Sequence, residues 1–309
     1  MRTPLKGLLA AVVLLGVVAT PLVSSAKTAS GFPITVHAAN GNVTIRTRPT
    51  AIISLSPTAT EMLFAIGAGS QVKAVDSYST YPPNAPVTKL SGYSPNVEAI
   101  AKYKPDLVVV ATDSAGFNKQ MANLKIPVIY DPAAVNLQQS YQQYLTLGEA
   151  TGTLRGAKAE VATVKGEIAH IVKTTPRAPK GTTYYYELDP TYYSVTSSTF
   201  MGQLLGLLGL KSIADSVKGA AANGGYPQLN AEFILKANPT FIFLADTICC
   251  HASAKSVAAR PGWSALSAVQ KGRIVALNDS IASEWGPRLP ILLRDVAAAL
   301  KKSKVTTRS

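Results

Sequence analysis

Cysteine is almost missing from this chain, and the only two, Cys249 and Cys250, are neighbours. Adjacent Cα atoms lie ~3.8 Å apart, below the usual span of a disulfide. A bridge between them would close a tight vicinal ring in an oxidising compartment, and two thiols are the other reading. His251 follows them, but three consecutive residues do not readily face one ion and no second cluster exists, so no metal site is expected. Histidine is equally scarce, with only His37, His170 and His251, and no motif places any of them as a general base. No Gly-x-Ser-x-Gly elbow and no phosphate loop are present, so an enzyme is not expected. A secreted α/β hydrolase is the distant alternative.

Acidic residues are few, 17 against 30 Lys and Arg, for a net charge of +13. Runs of basic residues are also missing, none being longer than Lys301-Lys302. Nucleic-acid binders gather such residues on one face or helix, so no nucleic-acid partner is expected. Spread charge reads as solubility, or as attraction to an acidic surface.

One long apolar run exists, Leu8 to Val23, preceded by Arg2 and Lys6 and followed by the small residues Ser24-Ser25-Ala26. It reads as an export signal over residues 1–26, with an uncleaved anchor as the alternative. No cysteine stands near the cleavage region, which argues against a lipid anchor. The protein is therefore expected in the periplasm or on the outer face of the cytoplasmic membrane.

The remaining chain is organised about residues 153–174. Leu154, Ala157, Val161, Val164, Ile168 and Ile171 recur at spacings of three and four, one stripe on one helix. At ~1.5 Å per residue such a helix is about 30 Å long. Pro176 and Pro179 stop it. Strand and helix signals alternate on both sides. The expected architecture is α/β, with two Rossmann-like lobes joined by one long rigid helix. Its parts are a linker over 27–45, an N-terminal lobe over 46–150, the bridging helix over 151–176, a C-terminal lobe over 177–300 and a basic tail over 301–309. Gly67-Ala68-Gly69 follows a helix rather than a strand, so it is not a dinucleotide fingerprint.

An internal repeat links the two halves. Residues 96–111 align with 230–245 without gaps: Asn96 with Asn230, Glu98 with Glu232, Ile100 with Ile234, Lys102 with Lys236, Pro105 with Pro239 and Ala111 with Ala245. In each copy Asn can cap a helix and Glu falls in its first turn. The helix dipole favours such an acid by ~0.3–1 kcal/mol, which explains either Glu without a partner. Matched carboxylates on two related lobes also suit a partner with two-fold related basic pockets.

Several segments taken together resemble a known family. These are Ile53-Ser54-Leu55-Ser56-Pro57-Thr58-Ala59-Thr60-Glu61, the loop from Tyr78 to Pro83, Glu98-Ala99-Ile100 through Lys104-Pro105-Asp106-Leu107, and Gly286-Pro287-Arg288. In this order they are similar to the cobalamin and iron-siderophore substrate-binding proteins of ABC importers, over roughly residues 48–300. The resemblance implies a monomer that captures a small molecule between its lobes and delivers it to a dimeric permease, with no cofactor of its own. Glu98 and Glu232 match the family's docking positions for permease arginines, and charge-assisted Arg–carboxylate pairs are directional and strong. Cobalamin or a related corrinoid is the expected ligand, with a ferric siderophore or haem as the alternative. Aromatic rings can cover a flat corrinoid face, and Tyr hydroxyls can bond its amides. By position, Tyr78, Tyr93, Tyr192, Tyr193, Tyr226 and Trp285 are the candidates. Tyr226 is foremost, because it stands just before the Glu232 helix, where the cobalamin binders place an aromatic.

Overall fold

Where a linker was expected, residues 34–45 form an antiparallel hairpin of β1 (Ile34–Ala38) and β2 (Gly41–Ile45), with Val36 opposite Val43. Val36, Val43 and Ile45 turn inward. Their period of two is short and diluted by Gly and Asn, so composition hid it. The Asn40 side chain at the turn donates to the Val128 carbonyl (2.9 Å) and accepts from the Tyr130 amide (3.1 Å), fastening the hairpin to the N-terminal lobe. This computed structural model describes Met1 and residues 31–303. The rest of the expected signal segment, and the tail beyond Ser303, lie outside the described residues.

The N-terminal lobe holds β3 (Ile52–Leu55), β4 (Val72–Asp76), β5 (Val87–Leu90), β6 (Leu107–Val110) and β7 (Val128–Tyr130) in one parallel sheet, ordered β5-β4-β3-β6-β7. Its helices are α1 (Pro57–Ala65), α2 (Val97–Ala101), α3 (Phe117–Asn123) and α4 (Leu137–Thr151). The strands are apolar without alternation because both faces are covered. Ile52, Leu107 and Val109 face one core, and Ile53, Val108 and Val110 face the other.

After α5 (Leu154–Thr174), the C-terminal lobe repeats the plan. Strands β8 (Thr183–Glu187), β9 (Lys211–Ser212), β10 (Phe241–Leu244) and β11 (Ile274–Ala276) form a parallel sheet ordered β11-β10-β8-β9. Around it run α6 (Phe200–Gly206), α7 (Ala231–Ala237), α8 (Ala254–Ala258), α9 (Ser267–Gln270), α10 (Asp279–Ala282) and α11 (Leu289–Ser303). A 3₁₀ turn, Trp263–Ala265, leads directly into α9.

Helix α5 buries Ala157, Val161, Val164, Ile168 and Ile171, five of the six stripe positions, while Leu154 is only half-buried. These side chains belong to one continuous core with Ile52 and Val75 of the first lobe and Tyr184 and Phe241 of the second. Fully burying each larger aliphatic chain contributes about 1.5–3 kcal/mol. Gly156 permits the approach: a Cβ there would stand 2.2 Å from the Ile66 carbonyl at the end of α1. A core shared by both lobes makes the bridge a stiff one.

Candidate functional site

In each sheet the strand order reverses beside the first strand of its lobe, between β3 and β6 and between β8 and β10. Loops leave such a switch point in opposite directions and open a crevice at the carboxyl ends of the strands. The loops from those ends meet in one cavity of about 650 Å³. From the first lobe come Pro57 and Thr58 after β3, Ser77 and Tyr78 after β4, Gly92 and Tyr93 after β5, and Ala111 and Thr112 after β6. The second lobe supplies Ile248 and Cys249 after β10, and Asp279, Ser280, Ser283, Glu284 and Trp285 after β11. Gly92 is required by space, since a Cβ would stand 2.4 Å from the Leu55 carbonyl and 3.0 Å from Asp76 Oδ2.

Three of the six expected aromatics meet in this cleft. Tyr78 and Tyr93 are 65% and 74% exposed and touch edge to face, with centroids 6.0 Å apart. Trp285 is half-buried, and its indole N–H donates to Gln143 Oε1 on α4 at 2.6 Å. The other three are elsewhere. Tyr193 and Tyr226 line a second cavity of about 540 Å³ with Lys218, Asn223 and Gln228. Burial raises the Tyr226 phenol above its ordinary pKa. Tyr192 turns toward its own lobe. Its backbone sits at φ +71°, and its ring stacks on Trp263 (5.9 Å, 24°) within the lobe's own packing.

Behind the lining residues Ser280 and Glu284 stands a charged cluster. Arg288 forms a two-pronged pair with Glu61 of α1 through Nε (2.9 Å) and Nη2, and its Nη1 bonds Ser280 Oγ at 3.1 Å. Glu284 Oε2 lies 3.8 Å from Arg288 Nη2. Burial, then the neighbouring Glu61, pushes the Glu284 carboxyl up to about 9. That shift favours the uncharged form of this acid on the cleft wall, against the pull of Arg288. Asp76 is also raised by burial, against bonds from the Ser79 hydroxyl and amide. Asp131, at the end of β7, is pushed by burial up to about 7. The legible signal for these residues was position, since each follows or faces a strand's carboxyl end.

The matched acids sit in matched places. Asn96 and Asn230 each cap their helix, accepting from the amides of Ala99 and Phe233, both at 2.8 Å. Glu98 and Glu232 are exposed in the first turns of α2 and α7, with no ion pair among the described residues. No cluster of metal-ligating side chains occurs among the described residues, and no described helix is long and apolar enough to cross a membrane.

Residues 52–281 match the family profile described as Periplasmic binding protein. The chain belongs to the periplasmic binding protein family. This family consists of substrate-binding proteins of ABC importers and not of enzymes. Among its relatives, an uncharacterized ABC transporter substrate-binding lipoprotein of Bacillus subtilis (strain 168) is 32% identical over 268 residues, covering 84% of this chain and 82% of that protein. A cobalamin-binding protein of Halobacterium salinarum (strain ATCC 29341 / DSM 671 / R1) is 28% identical over 276 residues, covering 86% of this chain and 73% of its own. The crystal structure of a possible iron-binding periplasmic solute-binding protein of Staphylococcus epidermidis superposes with a TM-score of 0.70, at 24% identity, over 82% of this chain and 99% of that one. That likeness concerns the two-lobed fold.

Proposed function

We propose that this periplasmic binding protein captures cobalamin or a related corrinoid in the cleft between its lobes. It then hands the ligand, as an exported monomer, to an ABC-transporter permease dimer. The observation that carries the ligand reading is the exposed Tyr78–Tyr93 pair beside Trp285, over a cavity whose wall is mostly apolar. Exposed rings leave water when a flat, conjugated face covers them, and the phenols can bond peripheral amides. The similarity to a cobalamin-binding relative supports the same choice. Glu98 and Glu232 dock the permease: both are exposed and have no ion pair among the described residues, and each stands at the start of a helix in one copy of the repeat.

A calorimetric titration of the purified chain with cyanocobalamin, beside hemin and a ferric hydroxamate, tests the reading. One-to-one binding of cyanocobalamin, weakened about tenfold or more by Trp285→Ala, is expected. Binding of only an iron complex would keep the importer role and replace the ligand.

A further inference from the structure

The loop that follows β10 carries a feature the fold does not need. Cys249 and Cys250 are joined in a disulfide across one peptide bond. A disulfide stabilises chiefly by closing a long loop of the unfolded chain, and this one closes almost nothing. Its placement is more informative. Ile248 and Cys249 line the same cavity as Tyr78, Tyr93 and Trp285. Cys249 and Cys250 are exposed, and so is Ile248, by 58%.

The segment is held in position rather than slack. The Asp279 carboxylate accepts from the amides of Thr247 (2.7 Å), Ile248 (2.8 Å) and Cys249 (2.8 Å), and from Thr247 Oγ1 (2.9 Å). Thr247 Oγ1 also donates to the Leu277 carbonyl at 2.7 Å. On the far side, the Cys250 and Ala252 amides both donate to the Asp246 carbonyl at 3.2 Å. Three amides, with the Thr247 proton shared between Asp279 and Leu277, hold the backbone that carries the sulfur pair. The bonded sulfurs carry no hydrogen-bond donor and are polarizable, which favours contact with rings and other flat apolar faces. Two thiols would add two S–H groups and free the ring.

We propose that the Cys249–Cys250 disulfide is a ligand-contacting surface of the cleft, taking the flat conjugated face of the captured molecule, and that opening it weakens capture. The inference rests on the capture reading above. Opening is thiol–disulfide exchange with an external dithiol. The reductant's thiolate attacks one sulfur, the Cys–Cys bond breaks, and the other cysteine leaves as a thiolate that takes a proton. The reductant's second thiol then displaces the first cysteine and departs as a cyclic disulfide. Two electrons and two protons pass to the protein.

The test uses the full purified chain and cyanocobalamin, with hemin in parallel. Protein prepared in air should show no maleimide-reactive thiol. After dithiothreitol treatment and desalting under argon, Kd should rise about tenfold, and reoxidation with diamide should restore it. Saturating ligand should slow the opening by dithiothreitol several-fold, because contact shields the sulfurs. The Cys249→Ser/Cys250→Ser variant should match the reduced protein in Kd with an unchanged circular-dichroism spectrum. Two free thiols in air, equal Kd for the oxidised and reduced forms, or no shielding by ligand would each overturn the inference while leaving the capture reading intact. If the untreated protein binds neither probe, the capture reading falls, and this inference falls with it.

Discussion

Two clusters in this molecule share a plan: an arginine gripping one buried glutamate, a second acid beside it, and an aromatic ring against the guanidinium. In the first, Arg288 holds Glu61, Glu284 is the second acid, and the Tyr81 ring lies 4.2 Å from the guanidinium carbon. In the second, Arg260 holds Glu187 at 2.6 and 2.7 Å, Asp246 is the second acid, and Trp263 lies at 4.7 Å. Their reach differs. Arg288 and Glu61 are 227 residues apart and tie the last loop to the first helix, with Glu284 on the cleft wall. Arg260 and Glu187 are 73 residues apart and stay inside the C-terminal lobe. The same local chemistry thus backs the wall of a site in one place and fastens a single lobe in the other. Removing one partner of a buried pair leaves an uncompensated charge, which costs about 3–5 kcal/mol.

That difference can be broken by experiment. Arg288→Met and Arg260→Met should each lower stability in urea by about 3–5 kcal/mol. Only Arg288→Met should also weaken cyanocobalamin binding by about tenfold or more. Equal loss of binding in both variants would erase the distinction between the two clusters.

A smaller effect separates the two second acids by pH. Glu284 is raised from its ordinary 4.5 to about 9. Between those values the folded chain keeps a proton that the unfolded chain has released, so stability falls as pH rises through the interval. Glu284→Gln has no proton to lose. The variant's stability relative to wild type should therefore climb from pH 4.5 to 9, exceeding about 1.4 kcal/mol, one pKa unit's worth, by pH 8. Asp246 is raised from 3.8 to about 7 by burial and then by Glu187. For Asp246→Asn the climb should stop near pH 7. Thermal melts across the range check both, and superimposable pH curves would contradict the assignment.

The smallest changes lie outside both clusters. Arg294 of α11 meets Glu167 of α5 at 3.0 Å with both side chains about half exposed, and Arg294→Ala should shift stability by less than about 1 kcal/mol. Glu98→Ala and Glu232→Ala should likewise cost less than about 1 kcal/mol, keep ligand affinity, and abolish uptake in a reconstituted transporter. A normal uptake rate in the double variant would sink the docking role.

Much of the scaffold was readable from local pattern. The alignment of 96–111 with 230–245 lands on α2 with β6 and on α7 with β10, and both asparagines cap at the same distance. The apolar stripe from Ala157 to Ile171 is buried as its period demanded. The hairpin at 34–45 escaped notice because short polar strands carry little periodic signal. That the Tyr192 ring folds back onto Trp263 was not legible, because an aromatic after a strand looks the same in sequence whether its ring faces a cleft or its own lobe.

Most helices and strands and their two-sided burial follow from the sequence by itself, since each depends on residues a few positions apart, and the duplicated half is legible as a direct match between two segments. The tertiary structure alone decided which loops share a cavity, that burial raises the Glu284 carboxyl, and that Asp279 secures the disulfide-bearing loop. Those outcomes depend on burial and on contacts between distant segments such as Arg288 with Glu61 and Trp285 with Gln143, for which no local period exists.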